Sequence, residues 1–437
     1  MEAALAPGRR VSYNASFDFV RDLEQVEQRI RPLILTDAAD AIALYETFLA
    51  GCYEKAEEID DSSGGLGQFV AELFRGWIKA RQAAGADPGE TGTRLLAWMD
   101  DDPYGFAADL DAEAAQALDK AGLAAFVRLI EARFEAAAKA DPLPGEPLGG
   151  NPEHQRRAWG AALRRLYSTQ KNLDAYLALT EETGRTAQDC HALAAMLVAR
   201  RKPQEALAWT ERGIELDDKA PHGSGARRDL ADLRRDLLVK LGRGNEALAA
   251  AWAEYREHPS TYSYHDLMRY VPQAERAAWH EKAIKSAKGK NLGSLIELLL
   301  ATKELERLAD LVGRSKDLAL EGVSHYATQP AAKKLEKSHP GPAARLWRAQ
   351  AARIVKAGKS KYYDIALENL ECARRCYENA GLADEWRTLV ETVRSEHRRK
   401  TGFMAGFEEI VAGSGPGEKP SFLERAKARW SPREAPR

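Results

Sequence analysis

The chain has 437 residues, 44% hydrophobic and 30% charged, with a formal net charge of -2. This is the composition of a soluble globular protein with room for about three domains. Apolar runs such as Leu298–Ala301 fall far short of the ~18 residues of a membrane span, and four cysteines in such a length exclude a disulfide framework and suit a reducing, intracellular setting.

The small net charge hides an asymmetry. Residues 1–150 hold 14 Lys/Arg against 27 Asp/Glu, residues 151–329 hold 28 against 25, and residues 330–437 hold 22 against 14. An acidic head and a basic tail can attract each other or different partners. Solvated helix faces that have drifted apart in sign account for the same numbers.

The opening "MEAALAPGRRVSY" lacks a basic region followed by a long apolar one, so no signal peptide is expected. From there nearly every segment reads as helix. Apolar residues recur at three and four, as in Leu44, Phe48 and Cys52, and in Leu123, Phe126, Val127, Ile130 and Phe134. Strand-length alternation is missing. Breaks fall at "DDSSGGLG" (60–67), "AGADPGETG" (84–92) and "DDDPYG" (100–105). The predicted class is all-α, with an acidic N-terminal helical domain over 1–140.

"DPLPGEPLGGNP" (141–152) has four prolines and three glycines, too many for a helix interior, and reads as a linker. A helical-repeat domain is predicted over 153–412. "DCHALAAMLVARRKPQEALAWTERGIELDD" (189–218) resembles one tetratricopeptide unit. Leu193, Ala194 and Leu197 fall where the first helix wants large, small and large residues. Ala206 stands where the second helix crosses it, with Trp209, Gly213 and Ile214 continuing the stripe. Ala247 repeats the small position in 242–260, ended by Pro259, and Ala366, Leu370 and Ala373 repeat it in 361–381. The pair around "LIELLLATKELERLADLV" keeps the rhythm without the residue pattern. The reading is a degenerate tetratricopeptide-like α-solenoid, with a compact helical bundle as the alternative. Tryptophans from Trp77 to Trp386 come about one per helix, a spacing suited to core packing. Residues 413–437 read as a flexible tail with one docked turn around Phe422, Leu423 and Trp430.

Four stretches carry a family likeness: "VSYNASFDFVRDLEQV" near the start, "EEIDDSSGGLGQFV" (57–70), "WMDDDPYGFAADL" (98–110) and residues 362–404, which end in "HRRKTGFM". With them the chain resembles a bacterial family of unknown function, best known as the helical region that follows a SWIM zinc finger. Such a finger needs C-x-C and then C-x-H, because zinc takes four thiolate or imidazole ligands. Cys52, Cys190, Cys372 and Cys376 supply neither pattern. The resemblance therefore covers the helical part alone, and the finger's zinc or nucleic-acid role does not transfer.

Motifs for chemistry fail at single positions. "HEKAI" (280–284) has Ile284 where a zinc protease needs its second His, and "GKS" (358–360) has Arg353 in place of the first glycine of a phosphate loop. "GGLG" (64–67) lacks the third glycine of a dinucleotide turn. The acidic clusters at 57–61 and 100–102 have oxygen ligands for a divalent cation. Their structural reading is simpler: the first leads to Ser62 and Ser63, good helix caps, and the second to a turn at Pro103. In "ECARRCYENAGLADEW" (371–386) Cys372 and Cys376 share a helix face, but His397 brings the ligand count to three at most. They read as small buried hydrophobes flanking the stripe of Ala366, Leu370, Ala373 and Tyr377.

Arg394, His397, Arg398, Arg399 and Lys400 gather at a helix C-terminus, where cations offset the macrodipole. They are also the candidate contact for phosphate or an acidic partner. The expected function is a cytoplasmic, non-catalytic scaffold or adaptor that binds a protein or peptide, with no cofactor, metal or membrane partner. One alternative is a nucleic-acid-associated factor using the basic C-terminal third; another is an unrecognised enzyme or metal protein.

Overall fold

Short polar residues cap the starts of several helices, as the computed structural model shows for the residues it describes: 5, 8, 10–140, 151–221 and 223–413. By internal contacts the chain divides into two units, residues 1–241 and 242–437. Among the described residues the β structure is a single isolated bridge, Val11 to Ile59. The fold is all-α.

The first unit opens with α1 (Tyr13–Ile30), α2 (Leu33–Thr36), α3 (Ala38–Lys55), α4 (Gly65–Ala83), α5 (Pro88–Asp100), α6 (Leu110–Ala117) and α7 (Lys120–Lys139). Asp87 accepts from the Glu90 amide at 2.8 Å and Asp119 from the Gly122 amide at 2.7 Å, each satisfying a donor that a helix start leaves free. At α4 the expected serine caps are replaced. Asp61 accepts from the amides of Leu66 (2.9 Å) and Gly67 (3.1 Å), because Gly64, at φ 72°, turns the chain back over it. Asp102 likewise accepts from the amides of Phe106 and Ala107 and from the Tyr53 hydroxyl. Both acidic clusters thus bind their own backbone.

Charge is buried in this unit where a partner meets it. Glu27 accepts from the Tyr45 hydroxyl at 2.9 Å and from Arg31 at 2.7 Å. Asp111 takes both arms of Arg165, at 2.7 and 2.8 Å, from α8 (Pro152–Gln170). The 141–152 linker falls mostly outside the described residues, and the helices flanking it pack on one another. The Tyr167 hydroxyl donates to Glu131 at 2.6 Å, Arg156 lies 5.1 Å over the Phe134 ring, and Gly160 lets that ring approach.

Helix pairs follow: α9 (Leu173–Thr183), α10 (Ala187–Ala199), α11 (Pro203–Lys219) and α12 (Arg227–Lys240), each packed on its predecessor. Thr186 and Asp189 form a reciprocal capping box at α10, and buried Asp189 also receives Arg164 at 2.8 Å and the Tyr176 hydroxyl at 3.0 Å. Ala206 is fully buried at the α10–α11 crossing, and a Cβ at Gly213 would stand 2.7 Å from that of Cys190. Trp209 departs from the expected packing stripe. It is half-exposed, with Arg185 (4.7 Å) and Arg212 (5.4 Å) over its ring, so the guanidinium groups rather than a neighbouring helix cover it.

The second unit runs through α13 (Gly244–Glu257), α14 (Thr261–Tyr270), α15 (Arg276–Ala287), α16 (Leu292–Ala301), α17 (Leu305–Arg314), α18 (Asp317–Glu321), α19 (His325–Leu335), α20 (Pro340–Lys356), α21 (Tyr363–Asn379), α22 (Ala383–His397) and α23 (Thr401–Val411). One continuous apolar core joins them, from Ala251 to Ile410. Each helix packs on close neighbours in the chain, up to three helices away: α20 on α17, α18, α19 and α21, and α23 on α21. That is the neighbour pattern of a helical repeat. Ala247, Ala366 and Ala373 are fully buried where the sequence asks for small residues, as is Ala343. Arg345 caps the end of α17, donating to the carbonyls of Val312 (2.7 Å) and Ser315 (2.6 Å) and pairing with Asp317. The tail over 414–437, with Phe422, Leu423 and Trp430, lies outside the described residues.

Candidate functional site

The basic cluster is not a single patch, because the helix turn between α22 and α23 assigns its members different partners. Arg394 is engaged by Glu408 of α23 through two bonds, 2.9 and 2.6 Å. Lys400, at the cap position of α23, turns inward and donates to the Val355 carbonyl. His397 is half-buried, its ring 6.3 Å from that of Phe403. Burial, with Lys400 next, holds the imidazole below its ordinary pKa of 6.5, against the pull of Glu396. Arg398 and Arg399 remain exposed, and neither side chain has a polar partner among the described residues.

His397 lines a cavity of about 490 Å³ within the second unit. Its back is apolar, from Val355, Leu370, Leu389 and Phe403. One wall is the stripe Glu385, Thr388, Thr392 and Glu396, whose spacing lays them along one side of α22. Its own cations are occupied: Arg348 pairs with Asp317, and Lys356 pairs with Glu321 at 2.6 Å. The mouth therefore carries negative charge, and the two open arginines directly follow its lining residue His397 in the chain. Its hydroxyls are committed as donors, since Thr388 and Thr392 bond the carbonyls one turn back at 3.0 and 2.8 Å. The arrangement can seat an apolar side chain and hold a cation on its rim.

The cysteines occupy the packing role read for them. Cys376 is buried, and burial pushes its thiol up to about 11, which disfavours the thiolate that metal binding and redox exchange need. Cys372 is half-buried and accepts from Arg375 at 3.3 Å. Among the described residues no three His, Cys, Asp or Glu side chains gather around a common point for a metal.

One constellation is not visible as a motif. His280, the first residue of "HEKAI", bonds the Tyr264 hydroxyl through Nδ1 at 2.7 Å and Glu304 through Nε2 at 2.9 Å. An ionised carboxylate only accepts, so Nε2 carries a proton and donates it to Glu304. Burial and Glu304 raise the pKa of the tyrosine, the reverse of what an activated nucleophile needs. The chain Tyr264–His280–Glu304 ties α14 and α15 to the α16–α17 turn as a brace.

A family described as "Family of unknown function (DUF6880)" matches residues 4–405. No curated protein matches the chain. Among solved structures, one titled "Structure of Naa15/Naa10 bound to HypK-THB" is similar at 14% identity and a TM-score of 0.34, over 96% of this chain and 68% of that one. No described helix is long and apolar enough to cross a membrane.

Proposed function

The chain belongs to the family of unknown function DUF6880, and we propose that it is a non-catalytic helical-repeat scaffold or adaptor that binds a protein or peptide partner. The carrying observation is in the second unit, an open, apolar-backed cavity with an acidic wall. Its lining residue His397 is followed in the chain by two exposed arginines without a hydrogen-bond or ion-pair partner among the described residues. Solenoids use such surfaces between successive helices to seat peptides. In this reading the acidic block 1–140 braces and the repeats over 153–412 present the binding surface, in the cytoplasm of a bacterium. Kinship with the helical regions that follow SWIM fingers belongs to the same proposal, resting on the order of motifs within 362–404.

Affinity purification from the native host with mass spectrometry tests the reading, followed by reconstitution with the purified partner. We expect a stoichiometric complex that Arg398→Glu/Arg399→Glu weakens. A chain recovered alone, even after cross-linking, removes the scaffold reading. Titration with mixed DNA and RNA tests the alternative: tight binding at low salt that falls steeply as salt rises would replace the protein partner with a nucleic acid.

A further inference from the structure

A second groove lies between α15, α16 and α17, with a volume of about 910 Å³. Ile284, Leu295 and Leu299 seal its floor, and half-buried Leu311 stands at its side. One rim carries Lys282 and Lys285 from α15 and Lys288 just past its end; the other carries Arg307 and Arg314 from α17, seven residues apart and so on one face. The groove's two carboxylates are already matched, Glu281 by Arg307 and Asp310 by Arg314, each at 2.7 Å. The lysines are therefore in surplus. Lys282 rests over Trp279 (3.9 Å) and Trp252 (4.5 Å), which fixes its position. Lys285 and Lys288 are exposed and have no hydrogen-bond or ion-pair partner among the described residues, although Lys288 is near enough to Glu281 to help Arg307 hold that carboxylate below the usual range.

We propose that this groove binds an acidic amphipathic helix of a partner protein, whose apolar face meets Leu311 and the floor and whose carboxylates meet Lys285 and Lys288. The proposal rests on the scaffold reading and gives it a place and a partner chemistry. A helix fits better than a nucleic acid for two reasons. Glu281 and Asp310 interrupt the rims, and a continuous phosphate backbone would have to pass them, whereas discrete side chains can avoid them. The faces of Trp252 and Trp279 are occupied by Lys282 rather than offered to bases.

The test uses the full chain and fluorescence anisotropy with three labelled probes: a helix-forming peptide of about 18 residues with a Leu face and a Glu face, the same peptide with Lys for Glu, and single-stranded DNA. The expected result is saturable binding of the Glu peptide. Lys285→Glu/Lys288→Glu should weaken it about tenfold or more and improve binding of the Lys peptide, with an unchanged melting curve. Equal affinity of wild type and variant for the Glu peptide overturns the proposal. So does DNA binding tighter than the Glu peptide and lost in the variant. A randomised peptide library selected in parallel separates the two levels. Peptides that bind independently of Lys285 and Lys288, with the Glu peptide inert, sink the groove and leave the scaffold standing. No binder from either source sinks both.

Discussion

In the first unit Glu27, Lys55, Asp111, Asp189, Asp217 and Arg235 are all buried, whereas in the second Asp266 is the one charged side chain so placed among the described residues. A buried charge is tolerable only with well-placed partners, so each of these side chains is committed to the fold. The core of the second unit is made of apolar and small residues. Besides pairs that brace its helices, such as His280 with Glu304, many of its charges line two open surfaces, where an ion pair adds little to stability. Charge in the first unit is built into the core; in the second it lies mostly at the surface, where it either braces helix ends, as Arg345 does, or stands open, as Arg398 and Arg399 do.

The largest effect should come from breaking the first half of that comparison. Asp189→Ala strands Arg164, the Tyr176 hydroxyl and the Thr186 cap together, and should cost about 3–5 kcal/mol in urea denaturation. Gly213→Ala pushes a methyl against Cys190 and Leu230, with an expected loss of about 1–3 kcal/mol. In the second unit Cys376→Ser places a hydroxyl in an apolar site, for about 1–2 kcal/mol. Cys372→Ser should stay within about 0.5 kcal/mol; equal losses at both would undo the assignment of one cysteine inside and one at the edge.

A shallower effect belongs to His397. Its folded pKa lies below the ordinary 6.5, so as the pH falls the unfolded chain takes up the proton first. The site's contribution is complete above pH 6.5 and is lost as the pH drops through the folded value. His397→Asn should flatten that part of the stability profile. Least of all should happen to the fold when Arg398 and Arg399 become Glu: within about 0.5 kcal/mol by thermal melting. A large loss there would mean these side chains serve the fold, and the comparison would fail.

Much of the repeat architecture is legible in the sequence because close helix crossings demand small residues at set intervals. Ala206, Ala247, Ala366 and Ala373 stand in the sequence as such and are fully buried in the fold. The sites are less legible because distant residues make them. Nothing near Arg394 announces that Glu408 neutralises it, and Glu304 meets His280 only after two turns of chain have folded back. The α15–α17 groove is likewise assembled from three helices with no shared motif. At α4 the sequence offers Ser62 and Ser63 as caps, and the path of Gly64 decides for Asp61 instead.

The contacts that α6 and α7 make with α8 carry a consequence for how the chain can be cut. Asp111 to Arg165, Glu131 to Tyr167 and Phe134 to Arg156 join the two sides of residues 141–150 without using the peptide link between them. Covalent continuity is then dispensable at that point. Two fragments expressed separately, one ending at 140 and one starting at 151, should find each other and co-purify, and reporter halves fused at the cut would light up on reassembly.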